Sequence, residues 1–152
     1  SEVEFQRRIE AGEFAEWAVY GNHRYGTLKK MVEDSLQSGN DILLEIEVQG
    51  ATQLRKLYPD GVFIFILPPS QASLGERLRK RKTESEDDIR RRLLIAKSEI
   101  SHINNYDYMV FNDDNQIEKA VENVKCIIAA AKCRVNESVL TQIKNEFILT
   151  CF

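Results

Sequence analysis

The chain has 152 residues, 43% of them hydrophobic, enough to bury the core of one domain or of one compact body with small appended lobes. Its formal net charge of -3 excludes a general polyanion-binding role, which needs a clear surplus of Lys and Arg. No apolar run is long enough to span a membrane, SEVEFQRRIEAG does not read as a signal peptide, and the thiols follow no pairing pattern, so the expected compartment is the cytoplasm.

In chain order, the first amphipathic helix is predicted over Glu2–Ala11. It is followed by Phe14-Ala15-Glu16-Trp17-Ala18 and then Gly21-Asn22-His23-Arg24-Tyr25-Gly26-Thr27. A Glu beside a buried-looking Trp is a candidate acceptor for a ligand with paired donors. Guanine fits, because its N1–H and N2–H₂ present adjacent donors to one carboxylate. Tyr25 and Thr27 flank a glycine and can offer hydroxyls to a phosphate or a base. The plainer alternative is a solvated glutamate at a helix end and a tyrosine in a hairpin.

A helix is predicted over Thr27–Ser38, then a buried strand over Asp41–Val48, DILLEIEV. Period-two alternation puts Glu45 and Glu47 on one face of that strand near its C-terminal end. Paired acids there suit nucleotide hydrogen bonding and the organisation of Mg²⁺ through water. The alternative is an edge strand with one solvated face, although Ile42-Leu43-Leu44 looks central. A helix over Ala51–Leu57 leads into the turn Tyr58-Pro59-Asp60-Gly61, where Pro sets φ and Gly closes, and then a strand over Gly61–Leu67.

Ser70 is placed to cap a helix over Gln71–Lys82, and Ser85 with Asp88 makes a capping box for a helix over Glu86–Asn104. The polar break Arg81-Lys82-Thr83-Glu84 between them predicts a mobile helical hairpin. This hairpin carries Arg77, Arg79, Lys80, Arg81 and Lys82, then an acidic stretch, then Arg90, Arg91 and Arg92. The four-residue step from Arg77 to Arg81 puts both guanidiniums on one helix face. Phosphoryl transfer is catalysed mainly by positioning and by neutralising charge on the moving group, which arginines on a closing lid can do. A charge run is also what an ordinary solvated face looks like.

The last strand is predicted over Tyr108–Phe111 and runs into Asn112, whose amide suits a base edge, and Asp113 and Asp114, read as caps of the next helix. Helices then follow over Gln116–Lys132 and near Glu137–Leu149. Cys126, Cys133 and Cys151 have neither disulfide nor zinc spacing. Cys126 and Cys133 are expected on one helix face as small apolar residues, and His23 and His102 form no metal motif. Apolar strands alternating with amphipathic helices indicate an α/β layered fold with a parallel sheet. The ligand is expected beyond the carboxyl ends of the strands, at Glu45–Gly50 and Asn112–Asp114.

Taken together, FAEWA…GNHRYGT, LLEIEVQGA, FILPPS, RLRKRKTESEDDIRRRL and YDYMVFNDD resemble guanylate kinases, from Phe14 to about Arg134. The resemblance implies a P-loop nucleoside-monophosphate-kinase-like parallel sheet flanked by helices. It places the C-terminal part of a GMP-binding lobe at 1–37, core at 38–75 and 94–152, and a helical lid at 76–93. It implies phosphoryl transfer from ATP to GMP in purine nucleotide metabolism, with Mg²⁺ on the ATP and with GMP and ATP, rather than nucleic acid or membrane, as partners. By this resemblance Glu16 binds guanine, Tyr25 contacts the GMP phosphate, Thr27 helps hold the base and Glu45 lies near the GMP. Arg77, Arg81 and Arg92 match lid and hinge arginines that engage nucleotide phosphates, and Asn112 matches an asparagine near the adenine.

The chain also departs from the family pattern. Lys80 and Lys82 stand where members usually have glycines around the arginine, which stiffens that turn. The stretch between Ala18 and Gly21 is one residue shorter than in several relatives. Nothing in the 152 residues matches G-x-x-x-x-G-K-[ST], the loop that cradles ATP phosphates, or the family's arginine-rich GMP phosphate segment. The resemblance implies that both, with a first core strand lying between strands present here, precede Ser1. A sheet lacking that strand would leave buried backbone groups unpaired, so these residues alone are expected to be inactive. The competing readings are a non-catalytic guanylate-kinase-like module that binds proteins, and a split product without activity. Joint retention of Glu16, Tyr25, Glu45 and the arginines favours the enzyme.

Overall fold

The computed structural model describes residues 1–21, 23–81, 85–135 and 137–148. Helix α1, Glu2–Glu10, starts with the Ser1 hydroxyl accepting the Glu4 N–H at 3.3 Å and carries acids in its first turn and arginines in its last, matching the helix dipole. It leads into an antiparallel hairpin of β1, Phe14–Tyr20, and β2, His23–Leu28. This hairpin was not among the predicted strands, and it takes Thr27 and Leu28 out of the predicted helix. Helix α2 therefore runs only over Lys29–Gln37. The turn begins at Gly21, whose φ of 60° lies in the left-handed region open to glycine.

The pairing is interrupted near its base. Phe14 faces Leu28 and Glu16 faces Thr27, which leaves Ala15 as an extra residue on β1. Such a bulge bends a strand and re-aims its side chains. Here the consecutive residues Ala15 and Glu16 are both buried, at 2% and 5% exposure, where a regular strand would turn one of them outward.

The predicted strand Asp41–Val48 is the main correction. Residues 41–47 form neither helix nor strand, and Val48 already belongs to α3, Val48–Leu57. The period-two burial is nonetheless as expected. Ile42, Leu44 and Ile46 pack on the cluster of Ala15, Val32 and Leu54, while Glu45 and Glu47 are exposed and Leu43 is 82% exposed. The side-chain pattern of a strand is present without a ladder, because among the described residues no neighbouring strand is hydrogen-bonded to it.

A parallel pair, β3 over Ile64–Leu67 and β4 over Tyr108–Phe111, makes the second sheet, in register from Ile64 opposite Tyr108 to Leu67 opposite Phe111. The Asn112 N–H extends the ladder to the Leu67 carbonyl at 2.7 Å. Between the strands lie α4, Gln71–Lys80, and α5, Glu86–Ile100. Ser70 caps the first, accepting the Ser73 N–H at 3.1 Å, and Ser85 caps the second, accepting the Asp88 N–H at 3.2 Å, both as predicted. The long predicted helix to Asn104 ends at Ile100, and Ile103–Asn105 form a separate 3₁₀ turn. Helix α6, Ile117–Lys132, packs on β4, and α7, Glu137–Ile143, continues as a π-helical turn over Lys144–Ile148. Lys82, Thr83, Glu84, Leu149 and Cys151, all within predicted features, lie outside the described residues.

Arg55 ties the hairpin–α3 body to the parallel sheet. Its guanidinium donates to both Asp107 carboxylate oxygens at 3.1 Å and to the Asn105 carbonyl at 2.9 Å, and lies 3.9 Å over the Phe63 ring. Asp107 also accepts the Phe63 N–H at 2.8 Å. Burial pushes the Asp107 carboxyl up, but the Arg55 and Phe63 bonds outweigh that and leave it below its ordinary value.

Candidate functional site

The bulge at Ala15 turns Glu16 inward, where its carboxylate oxygen Oε1 accepts the Thr27 hydroxyl at 2.7 Å. Glu16 and Thr27 are cross-strand partners, so the pairing register itself brings them together. A buried carboxylate is costly unless its oxygens are engaged. A single hydroxyl occupies only part of its acceptor capacity, which leaves it suited to a ligand presenting donors. Behind Glu16 stands the first turn of α3, with Gly50 facing its other oxygen. Gln53, one turn further, donates to the Trp17 carbonyl at 2.7 Å and accepts the Trp17 N–H at 3.2 Å. The alternative of a solvated glutamate at a helix end does not hold.

The other predicted residues fall in different places. Tyr25 is 58% exposed on β2, edge-on to His23 at 6.4 Å between ring centroids. Glu45 is exposed in the extended stretch 41–47. Arg77 and Asn112 form a second cluster beyond the carboxyl end of β4. There Arg77 donates to the Asn112 carbonyl at 2.6 Å and to Asp114 at 2.7 and 2.9 Å, and the Ser73 hydroxyl meets Asp114 at 2.9 Å. The Arg77 guanidinium and then the Ser73 hydroxyl hold the Asp114 carboxyl below its usual range. Asp114 is thus an anchor for α4 and not the predicted helix cap, since α6 begins after Gln116 with no side-chain cap. Arg81 is exposed at the C-terminal end of α4 and Arg92 is half-buried on α5.

Sequence reasoning missed Gln53 and Ser73 as members of these clusters, and it had Gly50 and Asp114 only as the ends of stretches expected beside the ligand. A three-residue step along α3 does put Gly50 and Gln53 on one face, a local signal for that pair. Ser73 and Asp114 are 41 residues apart and carry no local signal.

A groove of about 410 Å³ between β4 and α6, lined by Met109, Phe111, Asp113, Lys119 and Cys126 among others, contains none of the predicted site residues. Cys126 and Cys133 are exposed on α6 and at its end, not packed as small apolar residues. Glu99, on α5, lies against Glu47. Burial, then the hydrogen bond and negative charge of Glu47, push its carboxyl from 4.5 up to about 7. A carboxyl raised in the folded state contributes stability that is full below the unfolded value and is lost as pH rises through the folded one. Stability is therefore expected to fall between about pH 4.5 and 7 through this group. Glu99→Gln should flatten that slope in urea unfolding series taken across the interval, and an unchanged slope would remove the pair from the account.

The geometry matches known proteins over most of the chain. The family model described as guanylate kinase matches residues 1–131. The chain belongs to the guanylate kinase family. Over 150 residues it is 46% identical to a guanylate kinase of Caldanaerobacter subterraneus subsp. tengcongensis, covering 97% of this chain and 72% of that protein. It is 47% identical over 135 residues to a guanylate kinase of Desulfitobacterium hafniense, covering 89% of this chain and 66% of the relative. The crystal structure of a guanylate kinase from Anaplasma phagocytophilum superposes with a TM-score of 0.73 at 31% identity, covering 95% of this chain and 70% of that one. The chain thus spans about two thirds to three quarters of the length of these relatives. The family match begins at residue 1, so α1 belongs to the family fold along with the motifs from Phe14 onward. The two-stranded parallel sheet with its flanking helices is the part of the family's α/β architecture that these residues build. No helix among the described residues is long and apolar enough to cross a membrane.

Proposed function

We propose that this chain supplies the GMP pocket and the phosphate-closing lid of an ATP:GMP phosphotransferase that makes ADP and GDP. The observation that carries the reading is the buried Glu16 carboxylate, fixed through one oxygen by Thr27 and left with acceptor capacity for a partner with paired donors. Guanine N1–H and N2–H₂ supply that pair, and adenine does not. In this reading Thr27 also lines the base, Tyr25 offers its exposed hydroxyl to the GMP phosphate, and Glu45 stands beside the nucleotide. The lobe at 1–37, the core at 38–75 and 94–152, and the lid at 76–93 divide the work.

A GMP phosphate oxygen attacks the γ-phosphorus of ATP as the bond to the β,γ-bridging oxygen breaks, and ADP leaves with that electron pair. Arg77, Arg81 and Arg92 would neutralise charge on the transferring group as the lid closes and excludes water. Arg77 is already braced by Asp114 and the Asn112 carbonyl, which holds the donor-side arginine beside the residue meant for adenine before the rest of the lid closes. Mg²⁺ keeps most of its water and is held largely by substrate phosphates, with one or two carboxylates at most. The exposed Glu45 and Glu47 suit such water-mediated contact, and the ion would supply charge neutralisation on the ATP phosphates. Purine nucleotide metabolism in the cytoplasm is the setting this chemistry implies.

The 152 residues contain no phosphate-cradling loop, so turnover is assigned to a polypeptide that joins one to this chain. Fused behind the loop-bearing segment of a relative, the chain is expected to release ADP only when both ATP and GMP are present, while the 152 residues alone release none. A folded fusion with no GMP-dependent ADP release would overturn the reading in favour of a binding module.

A further inference from the structure

The reading of Glu16 as the guanine acceptor leaves open what sets the angle of its carboxylate. Its oxygen Oε1 is tied to Thr27 at 2.7 Å, but one bond leaves the plane free to turn about that contact. The second oxygen, Oε2, faces the Cα of Gly50, and a methyl group there would overlap it and stand 3.1 Å from Cδ and 3.4 Å from Cγ. Gly50 is itself buried in the first turn of α3. The height of that turn over β1 is fixed by Gln53, whose side-chain amide makes a two-way hydrogen bond with the Trp17 backbone next to Glu16.

Resting on that reading, we propose that Gly50, with Gln53 as its anchor, is a positioning residue that makes room for the Glu16 carboxylate and sets the plane in which it reads guanine. Gly50 lies inside a helix, where glycine is the poorer helix former compared with alanine. A merely helical role for this position therefore predicts that Gly50→Ala leaves nucleotide binding alone and raises helix stability. The steric role predicts the reverse for binding. The added methyl pushes Oε2 away and rotates the carboxylate out of line with the two donors.

The test is calorimetric titration of the chain, fused behind the loop-bearing segment of a relative, with GMP and with IMP, which keeps N1–H but lacks the 2-amino donor. The parent is expected to prefer GMP. Gly50→Ala is expected to lose GMP affinity at least tenfold and to lose most of the preference over IMP, while unfolding cooperatively. In the pair Gly50→Ala with Glu16→Gln, the losses should not add, because Gly50 acts through Glu16. Gln53→Met, which keeps length but not the bonds to Trp17, should also lower the GMP-to-IMP ratio, and it decides the matter if Gly50→Ala does not fold. A folded Gly50→Ala that binds GMP within twofold of the parent, or additive losses, would overturn the proposal. If Glu16→Gln weakens GMP while Gly50→Ala does not, only this proposal fails. If Glu16→Gln has no effect, or the parent does not bind GMP, the reading of Glu16 fails with it.

Discussion

Glu16→Gln is expected to weaken GMP binding by about 10- to 100-fold while leaving the fold intact. The exchange keeps the shape of the side chain and keeps an oxygen to accept the Thr27 hydroxyl, so the hairpin loses little. It replaces the other acceptor with an amide NH₂, which then points donors at the donors of guanine. A hydrogen bond to a charged group contributes about 1.5–3 kcal/mol net, and leaving buried donors unmatched adds to the loss. The effect should fall on affinity for guanine nucleotides and spare the cooperativity of unfolding. Titration of the variant beside the parent measures it, and equal affinities would take Glu16 out of the site.

Leu54→Ala is expected to destabilise the chain by about 2–5 kcal/mol, the range for truncating a buried leucine that its surroundings cannot refill. Leu54 is 5% exposed in α3 and packs with Ala15 and Val32, the cluster against which Ile42, Leu44, Ile46, Tyr58 and Phe63 lean. Its neighbour Gln53 holds β1 and the next residue, Arg55, holds Asp107. The cavity therefore opens at the joint between the hairpin and the parallel sheet. A loss below about 1 kcal/mol in urea unfolding would mean that this cluster is not the core of the body.

The two parallel strands, the caps at Ser70 and Ser85 and the succession of helices could be read from the sequence, because each rests on a local pattern. The β1–β2 hairpin was not read as strands. Its bulge places Ala15 and Glu16 on the same side, which spoils the alternation that marks a half-buried strand, although Gly21-Asn22 between two mixed runs was a turn signal. The stretch 41–47 failed in the opposite sense, since its alternation is complete but its ladder is not made among the described residues. Periodicity reports which side chains face the core and says nothing about where the backbone finds partners.

The site divides along the same line. Glu16 and Thr27 were singled out one by one, and the structure adds the contact between them. Arg77 and Asn112 were read as separate nucleotide contacts, whereas Arg77 bonds directly to the Asn112 carbonyl, and this bond and those to Asp114 span residues 35 to 41 positions apart. Asp114 itself was read as a cap because a carboxylate just before a helix usually is one. Gly50 was part of a motif without a role. Only the three-dimensional approach of α3 to β1 shows what its missing side chain allows.

The central claim is that these residues form a pocket that selects guanine through Glu16. Titrating the chain, fused behind the loop-bearing segment of a relative, with GMP and with AMP, while following backbone amide resonances, tests it most directly. The account predicts saturable GMP binding with shifts centred on Glu16, Thr27 and Gly50, and AMP binding weaker by at least tenfold. Equal affinities for the two nucleotides, or GMP shifts that leave those three residues unmoved, would contradict it.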